Sequence, residues 1–258
     1  MTPDILLSTH LSVDYRQKPG VLRDCRLGIC EGEIFGLAGQ SGSGKSTIAL
    51  ALLGLLEPGQ ANVRGEILFE DRNLIGLPEE ELRALRGNRI SLVLQSPIAS
   101  LNPRLRLATQ FQEAWKAHVV DRPEAWKEAV LAALESVSLP ADEAFLRLYP
   151  RELSVGIAQR VLIAMAILHG PKLLIADEAT SALDVITQSE ILELFQGLNR
   201  SLGMSILYIT HDLRSAGKIC DRMGILYEGQ MVECGPTRKV LERPTHPYTQ
   251  RLMAALVA

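Results

Sequence analysis

The segment from Gly39 to Ser46 has the residue types and spacing that hold phosphate groups. It reads Gly-Gln-Ser-Gly-Ser-Gly-Lys-Ser and fits the pattern G-x-x-x-x-G-K-[ST], with an apolar stretch before it and a helical pattern after it. The glycines let successive backbone N–H groups point at phosphate oxygens, and the positive end of the following helix attracts the same charge. We expect Lys45 to contact the β and γ phosphates of a bound ATP and the Ser46 hydroxyl to bind Mg²⁺. The predicted ATP-binding residues of this segment are Gly39, Gln40, Ser41, Gly42, Ser43, Gly44, Lys45, Ser46 and Thr47.

Two acidic residues follow an apolar segment later in the chain. Residues 172–176 are predicted to form a strand, so Asp177 and Glu178 would lie at its carboxyl end, where nucleotide sites are found. We expect Asp177 to hold Mg²⁺, directly or through water, and Glu178 to act as a general base or to orient the attacking water. A strand followed by two solvated acids is common, so this prediction depends on the glycine-rich motif upstream.

His211 and Gln95 also follow predicted strands. If the strand ends at Gly39, Asp177 and His211 meet in one crevice, the imidazole can hydrogen-bond the γ-phosphate. Gln95 offers an amide oxygen to Mg²⁺ or to a water molecule. Taken alone, either residue is equally well explained by a structural role.

These side chains need a sheet to bring them together, and the sequence predicts one. Short strands dominate the first ninety residues, interrupted by an apolar helix over 46–56 and a second helix over 79–85. After residue 153, helices and strands alternate, which favours a parallel sheet flanked by helices. The predicted strands are 5–13, 21–29, 34–38, 65–69, 90–94, 172–176 and 205–210, with a hairpin over 224–233; the later helices are 154–168, 185–202 and 213–219.

A helical stretch over 109–139, with a break predicted at 121–123, separates these two regions. We interpret it as a helical subdomain inserted into one domain that spans 1–258. The predicted nucleotide-binding core is 1–95 and 161–235, the helical subdomain 96–160, and the C-terminal tail 236–258.

Composition excludes several function classes. The 258 residues are 47% hydrophobic and 22% charged, and the net charge of −3 gives no electrostatic footprint for nucleic acid. The four cysteines show no metal-ligand spacing and are expected to be reduced. No apolar run approaches the length of a membrane helix, and the first residues lack the pattern of a signal peptide, so we expect a cytosolic protein.

The order of these motifs resembles the ABC ATPase family along essentially the whole chain. It comprises the loop at 39–46, Gln95, the segment Leu-Ser-Val-Gly-Ile-Ala-Gln-Arg at 153–160, Asp177-Glu178, Ser-Ala-Leu-Asp at 181–184, and His211. The resemblance implies an α/β fold: a P-loop NTPase (RecA-like) core with a parallel sheet, an N-terminal antiparallel β region and the inserted helical subdomain.

The resemblance also implies roles for further residues. Tyr15 is similar to the aromatic residue that stacks on adenine, and Gln95 to the loop glutamine that faces the membrane partner. Ser181 and Asp184 lie in a segment that crosses a dimer interface in this family. The signature segment, residues 153–160, completes the ATP site of the opposite subunit, and we expect Ser154, Gly156 and Gln159 to take part.

The signature segment departs from the family pattern. Val155 stands where the family usually has the first of two glycines, and Ile157 where a polar residue is usual. A β-branched side chain restricts the backbone where only hydrogen was expected. We therefore hypothesise that the subunit works in an asymmetric heterodimer with one weaker ATP site.

The C-terminal run Pro-Thr-His-Pro-Tyr-Thr-Gln-Arg-Leu at 244–252 is similar to the tail of the dipeptide, oligopeptide and nickel import group, as are residues 95–97 and 101–103. A rigid turn before an amphipathic helix accounts for the tail equally well. The resemblance implies ATP hydrolysis that powers import of peptides or nickel complexes. The implied partners are a second ATPase subunit, two membrane-spanning permease subunits and an external solute-binding protein, at the cytoplasmic face of the cell membrane.

Other functions are compatible with parts of this pattern. They are a soluble ABC-type ATPase acting on ribosomes or DNA, a module that binds ATP with little turnover, and a small-molecule kinase. A kinase would leave the signature segment and residues 181–184 without a purpose.

Overall fold

Strands and helices alternate through the computed structural model, which describes residues 4–57, 59–119 and 122–257. The strands are β1 Ile5–Tyr15, β2 Lys18–Cys30, β3 Ile34–Ala38, β4 Ala61–Phe69, β5 Arg72–Asn73, β6 Ile90–Val93, β7 Leu173–Asp177, β8 Ser205–Thr210, β9 Arg222–Tyr227 and β10 Gln230–Pro236. The helices are α1 Lys45–Leu52, α2 Glu79–Leu85, α3 Pro97–Ser100, α4 Leu107–Lys116, α5 Trp126–Ser136, α6 Glu143–Leu146, α7 Val155–Ile167, α8 Val185–Leu202, α9 Leu213–Ile219, α10 Thr237–Glu242 and α11 Pro247–Val257.

The larger sheet has the strand order β10-β9-β3-β8-β7-β6. Neighbouring strands from β9 to β6 are parallel, and only the edge pair β9–β10 is antiparallel. The three central strands β3, β8 and β7 therefore point their carboxyl ends to the same edge. This confirms the predicted parallel sheet and adds one antiparallel strand to it.

A smaller antiparallel sheet, with the order β2-β1-β4-β5, forms the predicted N-terminal β region. Its first hairpin is longer than the sequence indicated, because Tyr15 pairs with Lys18 on one side and with Ala61 on the other. The extension carries Tyr15 to the tip of the hairpin, where it lies next to the glycine-rich loop.

Side chains alternate between the two faces of the larger sheet and divide the core in two. On β3, Ile34 and Ala38 join a hydrophobic cluster with the helices α4, α5, α7 and α8, while Phe35 and Leu37 join a second cluster with α1 and the smaller sheet. Both faces are covered, which is why the whole of β3 is apolar and buried.

Helices α3 to α6 occupy the chain between β6 and β7, as the predicted helical insertion requires. Phe111 on α4 and Val130 on α5 belong to the same cluster as Val161 on α7. The boundaries 96–160 remain a prediction, and position 121 of the predicted break lies outside the described residues.

Gly65 tests how tightly β4 packs on β1. Its φ is +108°, and a Cβ built there would lie 1.9 Å from the backbone oxygen of His10. We expect Gly65→Ala to lower the free energy of unfolding by about 1–3 kcal/mol in urea denaturation, because the strained backbone must also move. Gly28→Ala on β2 is the matched control, since no atom lies within 4 Å of its Cβ position. Equal stability of the two variants would contradict this account.

Candidate nucleotide-binding site

The loop between β3 and α1 contains the predicted phosphate-binding motif, and α1 begins at Lys45. A Cβ on Gly39 would lie 2.2 Å from the backbone oxygen of Leu226 on β9. The loop therefore packs against the sheet edge so closely that this position has no room for a side chain. The sequence requirement for glycine here is steric.

The side chain of Lys45 is 5% exposed, and its ammonium group turns back into the loop. Nζ donates hydrogen bonds to the backbone oxygens of Gly39, at 2.7 Å, and Gln40, at 3.0 Å. Burial lowers the pKa of Lys45, and the nearby charges of Glu178 and Asp177 oppose that shift. A buried cation held among backbone groups at a helix N-terminus is suited to bind phosphate.

Asp177 is the last residue of β7. Its Oδ1 is buried and has no hydrogen-bond partner among the described residues. Burial raises the pKa of Asp177, whereas a hydrogen bond from the Ser46 side chain and the charge of Lys45 oppose the shift. An unpaired buried carboxylate oxygen beside a hydroxyl is a donor set that fits Mg²⁺.

Glu178 follows β7 with a left-handed backbone, φ 50°. Its N–H donates to the Ile209 oxygen at 2.9 Å, and its own oxygen accepts from the Ser181 N–H at 3.1 Å and from the Ser181 hydroxyl at 3.0 Å. Oε1 lies 3.2 Å from Nδ1 of His211 at the end of β8. Strained backbones of this kind concentrate at functional sites, and here the surrounding bonds fix the carboxylate beside the imidazole.

Two cavities flank the phosphate-binding loop. One, of about 430 Å³, brings the ends of β3, β7 and β8 together; it is lined by Gly39, Gln40, Ser41, Glu178, His211, Leu213 and Leu252. The other, of about 450 Å³, reaches the β1–β2 hairpin; it is lined by Tyr15, Gln17, Lys18, Val21, Ser41, Gly42, Gly44, Lys45, Ser46, Thr47 and Glu178. Glu178 lines both cavities. The first also contains His211, whereas the second contains Tyr15 together with Lys45 and Ser46 and so extends from the predicted adenine contact to the predicted phosphate contacts.

Gln95 lies two residues beyond β6, whose parallel neighbour is β7. It is exposed at the same edge of the sheet but lines neither of the two cavities. The structure thus brings Gln95 to the expected edge of the sheet, outside the lining of both cavities.

The predicted signature segment forms the N-terminus of α7. Ser154 is its N-cap and accepts a hydrogen bond from the Ile157 N–H at 3.2 Å. The side chains of Val155 and Ile157 are exposed. A Cβ on Gly156 would lie 2.7 Å from Cγ2 of Thr187, so α7 meets α8 at this point.

Gln159 differs from expectation. Its side chain is 0% exposed, and neither amide atom has a hydrogen-bond partner among the described residues. The reason is the helix period, which turns position 159 toward the core together with Ala158. The structure therefore places the Gln159 side chain in the core of this subunit and not on its surface.

Asp184 is the N-cap of α8 and accepts from the backbone N–H groups of Ile186 and Thr187 and from the Thr187 hydroxyl. Ser181 is hydrogen-bonded to the Glu178 backbone, so the loop from 178 to 184 connects the Glu178–His211 pair to α8.

Sequence reasoning missed five lining residues: Gln17, Lys18, Val21, Leu213 and Leu252. Gln17, Lys18 and Val21 reach the site through the β1–β2 hairpin, Leu213 follows His211 by two residues, and Leu252 arrives by a long-range contact of α11.

A protein-family model described as "ABC transporter" matches residues 22–181, more than half of the chain. The chain belongs to the ABC transporter family. The oligopeptide transport ATP-binding protein OppD of Bacillus subtilis is 41% identical over 91% of this chain and 66% of its own length. OppD of Escherichia coli is 42% identical over 91% of this chain and 69% of its own length.

Solved structures agree with the ABC fold. CbiO1 from Clostridium perfringens, part of the ABC transporter complex cbiONQ, has a TM-score of 0.80 and 27% identity over 93% of this chain and 92% of its own. The ATP-binding cassette MJ0796, in a dimeric post-hydrolysis state bound to ADP and Pi, has a TM-score of 0.76 and 27% identity over 90% of this chain and 99% of its own. The chain is thus an ATPase of the ABC transporter class. In the described part of this ABC ATPase, no helix combines the length and apolar character needed to cross a bilayer.

The buried carboxylate of Asp177 gives a stability prediction. Its pKa in the folded chain is raised above 3.8, so the folded state binds the proton more tightly and stability falls as pH rises from 3.8 through the raised pKa. Asp177→Asn removes the buried charge and should raise the free energy of unfolding at pH 7 by about 1 kcal/mol in urea denaturation without nucleotide or Mg²⁺. It should also flatten the fall across that pH window.

Asp184→Asn is the control, because hydrogen bonds from Thr187 lower the pKa of that exposed carboxylate and its loss should not stabilise the fold. Destabilisation by Asp177→Asn at pH 7 would contradict this prediction, because it would mean that the attraction between Asp177 and Lys45 outweighs the cost of burying the carboxylate.

Proposed function

We propose that this chain is the ATP-hydrolysing subunit of an ABC importer for peptides. The observation that carries the proposal is the Glu178–His211 pair, at 3.2 Å, beside a phosphate-binding loop at the ends of neighbouring strands. Relatives named for oligopeptide, dipeptide and glutathione import support peptides as the solute class over nickel complexes. The dipeptide relative, DppD of Bacillus subtilis, is 38% identical over 98% of this chain.

The residues of the site divide the work of hydrolysis. Backbone N–H groups of the loop and the Lys45 ammonium bind the phosphates, and Tyr15 stacks on the adenine ring. Glu178 holds the attacking water and accepts its proton, while His211 orients that carboxylate and faces the γ-phosphate. Ser46 and Asp177 would hold Mg²⁺, which would supply neutralisation of the phosphate charge.

A second ATPase subunit fits the surface around the signature segment. Val155, Ile157, Val185 and Ile186 are exposed at the starts of α7 and α8, next to the Ser154 and Asp184 caps. Exposed apolar side chains around helix N-termini suit a partner that brings both apolar surface and a phosphate group. We propose a heterodimer, because Val155 occupies the first position of α7 where the family usually has glycine.

The remaining partners are two permease subunits and an external solute-binding protein, which place this chain at the cytoplasmic face of the membrane. Leu94 and Ile98 are exposed on either side of Gln95, and they support a permease contact at this loop. A net charge of −3 gives no support for a nucleic-acid partner.

Glu178→Gln tests the assigned base. The amide cannot accept the proton of water, so ATP turnover in the complex assembled with the partner ATPase and permease subunits should fall by at least about 100-fold, while ATP binding persists. Phosphate release with Mg²⁺ measures turnover, and calorimetry measures binding. Glu193→Gln, an exposed glutamate on α8, is the control and should hydrolyse ATP at the wild-type rate. Wild-type turnover by Glu178→Gln would refute the assignment.

Val155→Gly tests the asymmetry of the heterodimer. Restoring glycine frees the backbone at the start of α7, so phosphate release by the assembled complex should rise by about twofold or more. Val155→Ala keeps a Cβ and should give a smaller rise. Unchanged or reduced turnover in Val155→Gly would count against a weakened second site.

A further inference from the structure

The C-terminal helix α11 contacts the phosphate-binding loop through one hydrogen bond. The backbone N–H of Gln40 donates to the Tyr248 hydroxyl at 3.1 Å. The peptide unit that contains this N–H also contains the Gly39 carbonyl, which accepts from Lys45 Nζ at 2.7 Å. One peptide plane is therefore held from both sides, by a tyrosine of the tail and by the buried lysine of the loop.

Tyr248 is itself held in place. It is 4% exposed, and its ring stacks on Tyr227 of β9 with centroids 4.0 Å apart. Its N–H donates to Nδ1 of His246 at 3.2 Å. A hydroxyl on a buried and stacked ring has one accessible position, so the bond to Gln40 is made at little entropic cost.

Glu233 of β10 fixes the turn that precedes α11. Its carboxylate accepts from the Thr245 N–H at 2.8 Å, the Thr245 hydroxyl at 3.0 Å and the His246 N–H at 3.2 Å. Burial raises the pKa of Glu233, but these hydrogen bonds together hold it below its usual value, so the carboxylate stays ionised at neutral pH. The run Thr-His-Pro-Tyr at 245–248 is thus held rigidly against the larger sheet.

This turn and α11 lie at the end of the nucleotide site where hydrolysis would occur. Leu252, one helical turn after Tyr248, lines the cavity that contains Gln40, Glu178 and His211. The cavity that contains Tyr15 has no lining residue from α11. The Gly39 oxygen of the peptide that Tyr248 contacts also binds the Lys45 ammonium, so effects of Tyr248 should fall on the terminal phosphate rather than on the adenine.

We propose that Tyr248 is a positioning residue of the ATP site, which orients the Gly39–Gln40 peptide and through it the Lys45 ammonium toward the γ-phosphate. This inference rests on the proposed function of the loop. Two hydrogen bonds on one amide polarise each other, so loss of the hydroxyl weakens the hold on Lys45 as well.

Calorimetric titration of the full chain with Mg²⁺ and either AMP-PNP or ADP tests the inference. Tyr248→Phe keeps the ring and removes the hydroxyl. Loss of one hydrogen bond should raise the Kd for AMP-PNP by about 3- to 10-fold and that for ADP by no more than about 2-fold, with little change in Tm. Tyr227→Phe is the matched control, since it keeps the same ring stack and the Gln40 bond, and both affinities should match the wild type.

The outcomes separate the two proposals. Unchanged AMP-PNP affinity in Tyr248→Phe overturns the positioning role and leaves the ATP site standing. Equal weakening of AMP-PNP and ADP together with a lower Tm overturns it too, because that pattern marks a structural role. Failure of the wild-type chain to bind either nucleotide overturns the proposed function and this inference with it.

Discussion

A buried ammonium group determines what surrounds the nucleotide site. Removing the charge of Lys45 from water costs several kcal/mol unless it is hydrogen-bonded and balanced. Two loop carbonyls supply the hydrogen bonds, and the carboxylates of Asp177 and Glu178 supply the balancing charge. Those acids reach the lysine because β7 and β3, on either side of β8, end at the same edge of the parallel sheet.

The sheet that positions these charges is covered on both faces by apolar side chains. Alternate residues of β3, β7 and β8 belong to the two hydrophobic clusters, one under the helices and one under the smaller sheet and α1. These apolar layers surround the buried Lys45 ammonium and lower the local dielectric, which strengthens its interactions with the two acids. In this environment one buried oxygen of Asp177 has no hydrogen-bond partner among the described residues, and such local costs are common at functional residues.

Local signals in the sequence were sufficient for much of this architecture. The helices at 185–202 and 213–219 and the strand at 205–210 have the predicted bounds, because apolar periodicity, the Asp184 and Asp212 caps and Gly203 coincide there. The glycine-rich motif likewise begins directly after β3 and runs into the start of α1, as predicted. No local signal predicted the contact between Tyr248 and Gln40, which are more than 200 residues apart in the sequence. The inward orientation of the Gln159 side chain was not predicted either.

The loop from Glu178 to Asp184 has a mechanical consequence. It is short, bonded to the Glu178 oxygen through Ser181 at one end and to the first turn of α8 through Asp184 at the other. A displacement of the exposed start of α8 is therefore transmitted through this short loop to the Glu178 backbone, which has a left-handed conformation. If a second subunit docks at α8 as proposed, its docking and the alignment of the Glu178 carboxylate would therefore occur together.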